Sequence, residues 1–577
     1  FELLLRLRAN TFWPAMHGCS VPFYFTPGNK EVADKFGIFI GTSHCEPMMR
    51  NTNGEWKRDG VGEYDYVHNS AHVLSFWEQR VKEVAELDNL YTLGMRGVHD
   101  GAMNGAKTIE EQKAVLTKVL KDQRDLLTKY VNKDVTQVPQ VFIPYKEVLD
   151  VYHAGLQVPD EVTLMWCDDN YGYIRHFPTA EERARKGGNG VYYHVSYWGR
   201  PHDYLWLGTA HPSLVYQQMS LAYERGIQKM WILNVGDIKP AEYQVELFLD
   251  MAWNLEEVKQ QGIAAHQRHF LEREFGKNRA DRLQPVMQEA YRLAYIRKPE
   301  FMGNTRTEEK DPKFKVISDL PWCEQEINER LAAYRQLSDK VEQEWHALPA
   351  QKKETYFQLV KYPVQAAAQM NNKLLTAQLA RHGKADWADS DRAYDSIVSL
   401  TKTYNTTKWN RMMDFQPRRL LVFNRVERKA LSSGLLEKPQ AVYTWNGADC
   451  VEGASVICEG LGYEGKAVAV EKKKELTFEF AAWETDSVEV EVRLLPNHPV
   501  EGERLRFTIS LDGSATEAVS YETKGRSEEW KENVLCNQAV RRMILPVARK
   551  ASHRLIFTAL DEGVVLDQIC LYMPRIK

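Results

Sequence analysis

A chain of 577 residues is too long for one hydrophobic core and should divide into roughly three or four domains. Its 75 Lys and Arg nearly balance 79 Asp and Glu, which removes the polybasic signature of a nucleic-acid or acidic-membrane binder. No apolar run approaches the roughly 18–20 residues that a membrane helix needs.

In chain order, Phe1-Glu2-Leu3-Leu4-Leu5-Arg6-Leu7 opens a helix-like pattern over residues 1–16, with no initiator Met. A preceding part of the protein, carrying any signal peptide, is therefore expected. Strand-type runs centre near residues 39, 93, 142, 165, 194, 206 and 232, with helical stretches in most of the longer gaps. Residues 70–86 place Val73, Leu74, Trp77, Val81 and Val84 on one helical face. Residues 108–130 begin at a Thr108–Glu111 capping box. Five of the runs end in an abrupt change to polar chemistry, as in Phe36–Ile40 followed by Gly41-Thr42-Ser43-His44-Cys45-Glu46. That is the pattern of a (β/α)8 TIM-type barrel, whose catalytic groups sit at the C-terminal ends of several strands. Seven strands leave the barrel one short, so strand one is expected ahead of Phe1.

From about residue 243 the pattern changes. Val245, Phe248, Leu249, Ala252 and Trp253 follow an amphipathic helical stripe, and segments 280–297, 321–347, 350–381 and 388–414 continue it. From about 416 the period drops to two: Leu476, Phe478, Phe480; Val488, Val490, Val492, Leu494; and Leu505, Phe507, Ile509, Leu511 alternate with polar residues. The expected architecture is multidomain α/β, α and β: a barrel catalytic domain (1–242, strands two to eight), a helical bundle (243–415) and a C-terminal β-sandwich (416–577). The eight cysteines lack CxxC or zinc-type spacing, and those inside apolar runs, Cys167 and Cys570, read as small buried hydrophobes. Trp445 and Trp483 are either sandwich core or sugar platforms.

Only the barrel concentrates chemistry. Its rim offers Glu46, Asp65, Asp100, Glu147, Asp168, Asp169 and Asp237, together with His44, Arg96, His99, Tyr145, Asn170, Tyr197 and Asn234. Paired carboxylates are what glycoside hydrolysis needs, one to protonate the leaving oxygen and one to attack or to activate water. No GxSxG elbow, Walker loop, GxGxxG after a strand or HExxH is present. His44, Cys45 and Glu46 are adjacent and alternate in direction along a strand, so no metal or other cofactor is expected. Arg96 either neutralises a rim carboxylate such as Asp100 or forks onto a substrate carboxylate. Glu147, three residues past Pro144, has little use in packing. Asp168 and Asp169 are neighbours, so at most one faces the mouth.

The segments GTSHCEPMMRN, YTLGMRGVHDGAM, FIPYKEV, WCDDNYGYIR, YYHVSYWG and WILNVGDIKPAE closely resemble glycoside hydrolase family 115, and GVVLDQICLYM extends the resemblance to the C-terminal domain. The resemblance implies an inverting α-glucuronidase that removes (4-O-methyl-)glucuronic acid from the α-1,2 branch points of glucuronoxylan or aldouronic acid oligosaccharides. Position by position, it implies Glu147 as general acid with Tyr145 beside it, and Arg96 and Asp100 at the uronate site. It also implies Trp13, Asn170 and Tyr197 in the pocket, and Asp100 or, more loosely, Asp65 as base. His44, Glu46, His99, Asp169, Asn234 and Asp237 complete the expected substrate-binding set. The family carries an N-terminal domain and a first barrel strand that this chain lacks, so the chain resembles a fragment. The alternatives left open are a non-catalytic uronate-binding barrel and a hydrolase of another acidic glycan side chain. A polysaccharide substrate implies secretion or a periplasmic location, and a homodimer is one open oligomeric state.

Overall fold

The computed structural model describes residues 1–453 and 455–574, which fall into two compact units. The first contains residues 1–168, 174–193 and 220–232; the second contains 169–173, 194–219 and 233 onward.

The first unit is built on short parallel strands curled into a half-barrel. β1 (Thr11–Phe12) pairs in parallel with β2 (Phe39–Ile40), and Ile40 makes a single parallel bridge to Asn89. A five-stranded sheet follows in chain order: β3 (Tyr91–Leu93), β4 (Gln140–Phe142), β5 (Thr163–Cys167), β6 (Asn189–His194) and β7 (Met230–Asn234). The pairings from Tyr91 to Tyr192 are all parallel. β3, β4 and β5 are buried throughout, which explains why they read as continuous apolar runs rather than as alternation. Two expectations are corrected. The opening helix covers only Glu2–Arg6, and the stretch beyond it supplies β1, a strand ahead of residue 39 within this chain. The strand expected near 206 does not form; Tyr204 makes one isolated antiparallel bridge to Tyr197. Trp206 misled because it is buried in a helical core, not in a sheet.

The helices Ser70–Val84 and Ile109–Tyr130 form where the periodicity placed them, the second with both halves of the Thr108–Glu111 capping box made. Beneath the loop after β2, Glu55 is fully buried between Arg50 (2.6 Å) and Arg80 (2.9 Å), and these guanidiniums stack on Phe76 and Tyr24. The loop is thus fastened by a fully buried carboxylate held between two almost fully buried guanidiniums.

The second unit holds the helices and the sandwich. Helices run from Glu242–Trp253 to Trp387–Asn405 around a core that includes Tyr334, Tyr356, Leu375 and Met370. The helix Ile263–Phe275, outside the segments picked from sequence, is set off from Leu255–Gln261 by Gly262 at φ 79°. Strands begin at Tyr443. In one antiparallel sheet, Val564–Tyr572 lies between Ser487–Leu494 and Lys466–Val470; in the other, Ser552–Ala559 lies between Glu475–Ala481 and Arg506–Leu511. The alternating residues Phe478, Val490, Val492, Phe507 and Ile509 all face the core. Trp483 is a core residue whose indole N–H donates to the Ser487 carbonyl (2.9 Å). Trp445 stacks on Tyr443 and packs against the same core.

Candidate active site

In the first unit, the loops after β2, β3 and β4 bring His44, Arg96, Asp100, Tyr145, Lys146 and Glu147 together. Arg96 is 3% exposed and forks onto Glu147: Nε donates to Oε1 and Nη2 to Oε2, each at 2.8 Å. Its Nη1 donates to Asp100 Oδ1. Asp100 is further held by Lys146 through Oδ2 and by His44 Nε2 at 2.8 Å. The Tyr145 ring lies 4.0 Å from the His44 ring and under the charges of Arg96 and Lys146. Two carboxylates, a guanidinium and a lysine amine are therefore in direct contact. Burial by itself would push the Glu147 carboxyl up, but the Arg96 hydrogen bonds and charge, its own backbone N–H and Lys146 outweigh that and hold it below the usual range.

The backbone is strained at this place. His99, Asp100 and Lys146 have φ of 51°, 60° and 54°. Non-glycine residues in the left-handed region cost about 1–3 kcal/mol each and persist where surrounding contacts fix them, which happens most at functional sites. At Asp100 and Lys146 the ion pairs do the fixing.

Trp13 follows β1 and stacks on Tyr192 of β6 at 5.7 Å between ring centroids. A methyl group on Gly41 would lie 2.1 Å from the indole nitrogen, so glycine is what lets Trp13 lie across β2. His99 is exposed and meets His17, Nε2 to Nδ1, at 3.1 Å. Glu46 points away from this group. Its carboxyl is buried, accepts the Thr52 backbone N–H at the start of the helix Thr52–Asp59, and is pushed well up by burial. Asp65 is a turn carboxylate: Oδ1 accepts the N–H groups of Val67 (2.8 Å) and His68 (3.2 Å), and Oδ2 meets His68 Nδ1 at 2.8 Å. Of the two candidate bases, Asp100 is the one in contact with Arg96.

His44, Cys45 and Asp100 each bring one ligand-type atom within 4.8 Å of the others. The two cations already on Asp100 disfavour a third, and burial pushes the Cys45 thiol up to about 12, against a metal-binding thiolate.

The remaining candidates belong to the second unit. Asp169 is buried and saturated: Oδ1 accepts the N–H groups of Tyr171 (3.0 Å) and Tyr173 (3.3 Å), while Oδ2 meets Trp530 Nε1 (2.8 Å) and His498 Nε2 (3.0 Å). It anchors a loop. That loop carries Asn170 at φ 74°, its carbonyl accepting from the Tyr204 hydroxyl at 2.6 Å. Tyr197 is buried against Tyr171 and His194. The Asn234 carbonyl accepts the Val195 N–H at 3.2 Å, and Asp237 is exposed. Sequence reasoning missed Lys146, Tyr192 and His17. A lysine beside a glutamate reads as local neutralisation, and nothing in the spacing shows that it reaches Asp100.

Residues 1–301 match glycosyl hydrolase family 115, and residues 454–577 match the C-terminal domain of that family. The chain belongs to glycosyl hydrolase family 115. As a member of it, the protein is a glycoside hydrolase. A solved family 115 structure, the 4-O-methyl-alpha-glucuronidase BtGH115A with specificity for decorated arabinogalactans, is 68% identical over all of this chain and 76% of its own length, at a TM-score of 0.98. A family 35 carbohydrate binding module from an environmental isolate (11% identity, TM-score 0.19) covers 23% of this chain and 93% of its own. The module CBM6cm-2 from Cellvibrio mixtus lichenase 5A (12%, 0.19) covers 24% and 100%. Comparison with curated proteins gives no match.

Proposed function

We propose that this protein is an inverting α-glucuronidase that releases (4-O-methyl-)glucuronic acid side chains from a polysaccharide. The observation that carries the reading is the buried Arg96 fork, set among two carboxylates, Lys146 and the Tyr145 and His44 rings. A neutral sugar gives a buried guanidinium nothing to bind; a uronate carboxylate matches its two parallel N–H groups. In this reading Arg96 binds the uronate, Glu147 protonates the glycosidic oxygen, and Asp100 activates water on the opposite face. Inversion requires the two carboxyl groups to stand roughly 6.5–9.5 Å apart, with water between base and sugar.

Family resemblance supports glucuronoxylan as the glycan. The 68% identical relative acts on decorated arabinogalactans, and we infer arabinogalactan side chains as the closer match for this chain. Secretion or a periplasmic location goes with either glycan. Aldouronic and arabinogalactan-derived acidic oligosaccharides, compared by kcat/KM, separate the two. Proton NMR from the earliest minutes tests the stereochemistry: the β-anomer appearing first supports inversion, and the α-anomer first rejects it.

A further inference from the structure

The arrangement of Arg96 poses a chemical problem for any general acid at position 147. An acid catalyst must hold a proton, yet Glu147 is clamped as a carboxylate by two parallel N–H groups of a guanidinium that is 3% exposed. The charges around Arg96 are balanced: Arg96 and Lys146 against Asp100 and Glu147. A uronate entering the site adds a third negative charge to a volume that holds two cations.

The two carboxylates are not equivalent. Asp100 keeps Lys146 and His44 if Arg96 moves away. Glu147 has Arg96 as its ion-pair partner, and its side chain, 32% exposed against 23% for Asp100, is the more open of the two to solvent protons.

We propose that Arg96 is a substrate-operated latch on Glu147: a uronate carboxylate draws the guanidinium fork onto itself, and the released Glu147 takes one proton from water and becomes the acid. The inference rests on reading Glu147 as the general acid and Arg96 as the uronate holder. No bond is made or broken in the step beyond that protonation; the proton comes from solvent and is later handed to the glycosidic oxygen. The latch couples specificity to chemistry, because a neutral sugar leaves Glu147 clamped and unprotonated. Discrimination against neutral glycosides therefore falls on kcat as well as on KM.

Binding linked to uptake of a proton weakens tenfold for each pH unit rise, between the low pKa of clamped Glu147 and its higher value in the complex. The test is calorimetric titration of the protein with glucuronate at one pH, in buffers of different ionisation enthalpy. Close to one proton should be taken up per glucuronate bound, and none with glucose. Glu147→Gln should bind glucuronate with the uptake abolished, its fold checked by thermal melting. No uptake by the unaltered protein overturns the latch, as it would if the uronate used the remaining N–H groups of Arg96 without displacing Glu147. Uptake that survives in Glu147→Gln also overturns it. Failure of the underlying reading looks different: glucuronate does not bind, or Glu147→Gln retains kcat.

Discussion

Two ion-pair networks in the first unit show how burial separates structural charge from working charge. In Arg50–Glu55–Arg80 the side chains are 0–3% exposed and the guanidiniums are stacked on aromatic rings. In Arg96–Asp100–Glu147 the guanidinium is equally buried, but its carboxylates are 23% and 32% exposed, and Asp100 and Lys146, which precedes Glu147, have left-handed backbone. In the first, Glu55 is fully buried between two guanidiniums whose outer ends reach the partly exposed Asp59 and Glu83, and removing Glu55 leaves poorly compensated charge in a closed core. In the second, both carboxylates are partly exposed, and in the latch reading a uronate replaces Glu147 on the guanidinium. In the proposed reading, the chemical site is the network whose glutamate, Glu147, a ligand can replace.

The comparison breaks most sharply at Glu147. Glu147→Gln should lower kcat about 10²–10⁴-fold on a substrate with a poor leaving group while uronate binding persists; unchanged turnover would make the open network structural after all. Glu55→Gln should instead cost about 3–5 kcal/mol of stability, read as a fall in melting temperature. A loss below about 1 kcal/mol would show that Arg50 and Arg80 find other partners. Arg96→Lys replaces a planar fork with a point charge and should raise KM for a uronate substrate roughly 10–100-fold, with less thermal destabilisation than Glu55→Gln. Equal destabilisation would erase the distinction between the networks. His498→Ala, in the second unit, removes one of four donors to Asp169. It should cost about 1–3 kcal/mol in chemical unfolding, and a neutral result would mean that Trp530 and the two backbone N–H groups suffice.

Much of this was legible in the sequence, for identifiable reasons. The buried parallel strands β3, β4 and β5 have no polar face, so their ends show as abrupt changes of chemistry, and those changes located Arg96, Asp100 and Glu147. The sandwich has one face in its core, so its period of two is visible directly. The misreadings occurred where local pattern and tertiary setting part. Residues 11–12 form a strand because Thr11 and Phe12 pair with Phe39 and Ile40, distant in sequence. Trp206 looks strand-like but serves a helical core.

By itself the sequence determined the family, the order of element types and the residue types gathered at the strand ends, because these depend on neighbours along the chain. Only the tertiary structure decided which carboxylates come together. Glu46 and Asp169 are occupied by donors from other elements, Asp65 serves its own turn, and Asp100 and Glu147 meet on one guanidinium. Carboxylate chemistry is set by the donors and charges within a few ångströms of the oxygens. In the cluster around Arg96 those donors come from residues 44, 96 and 146, far apart in sequence and brought together by the parallel sheet.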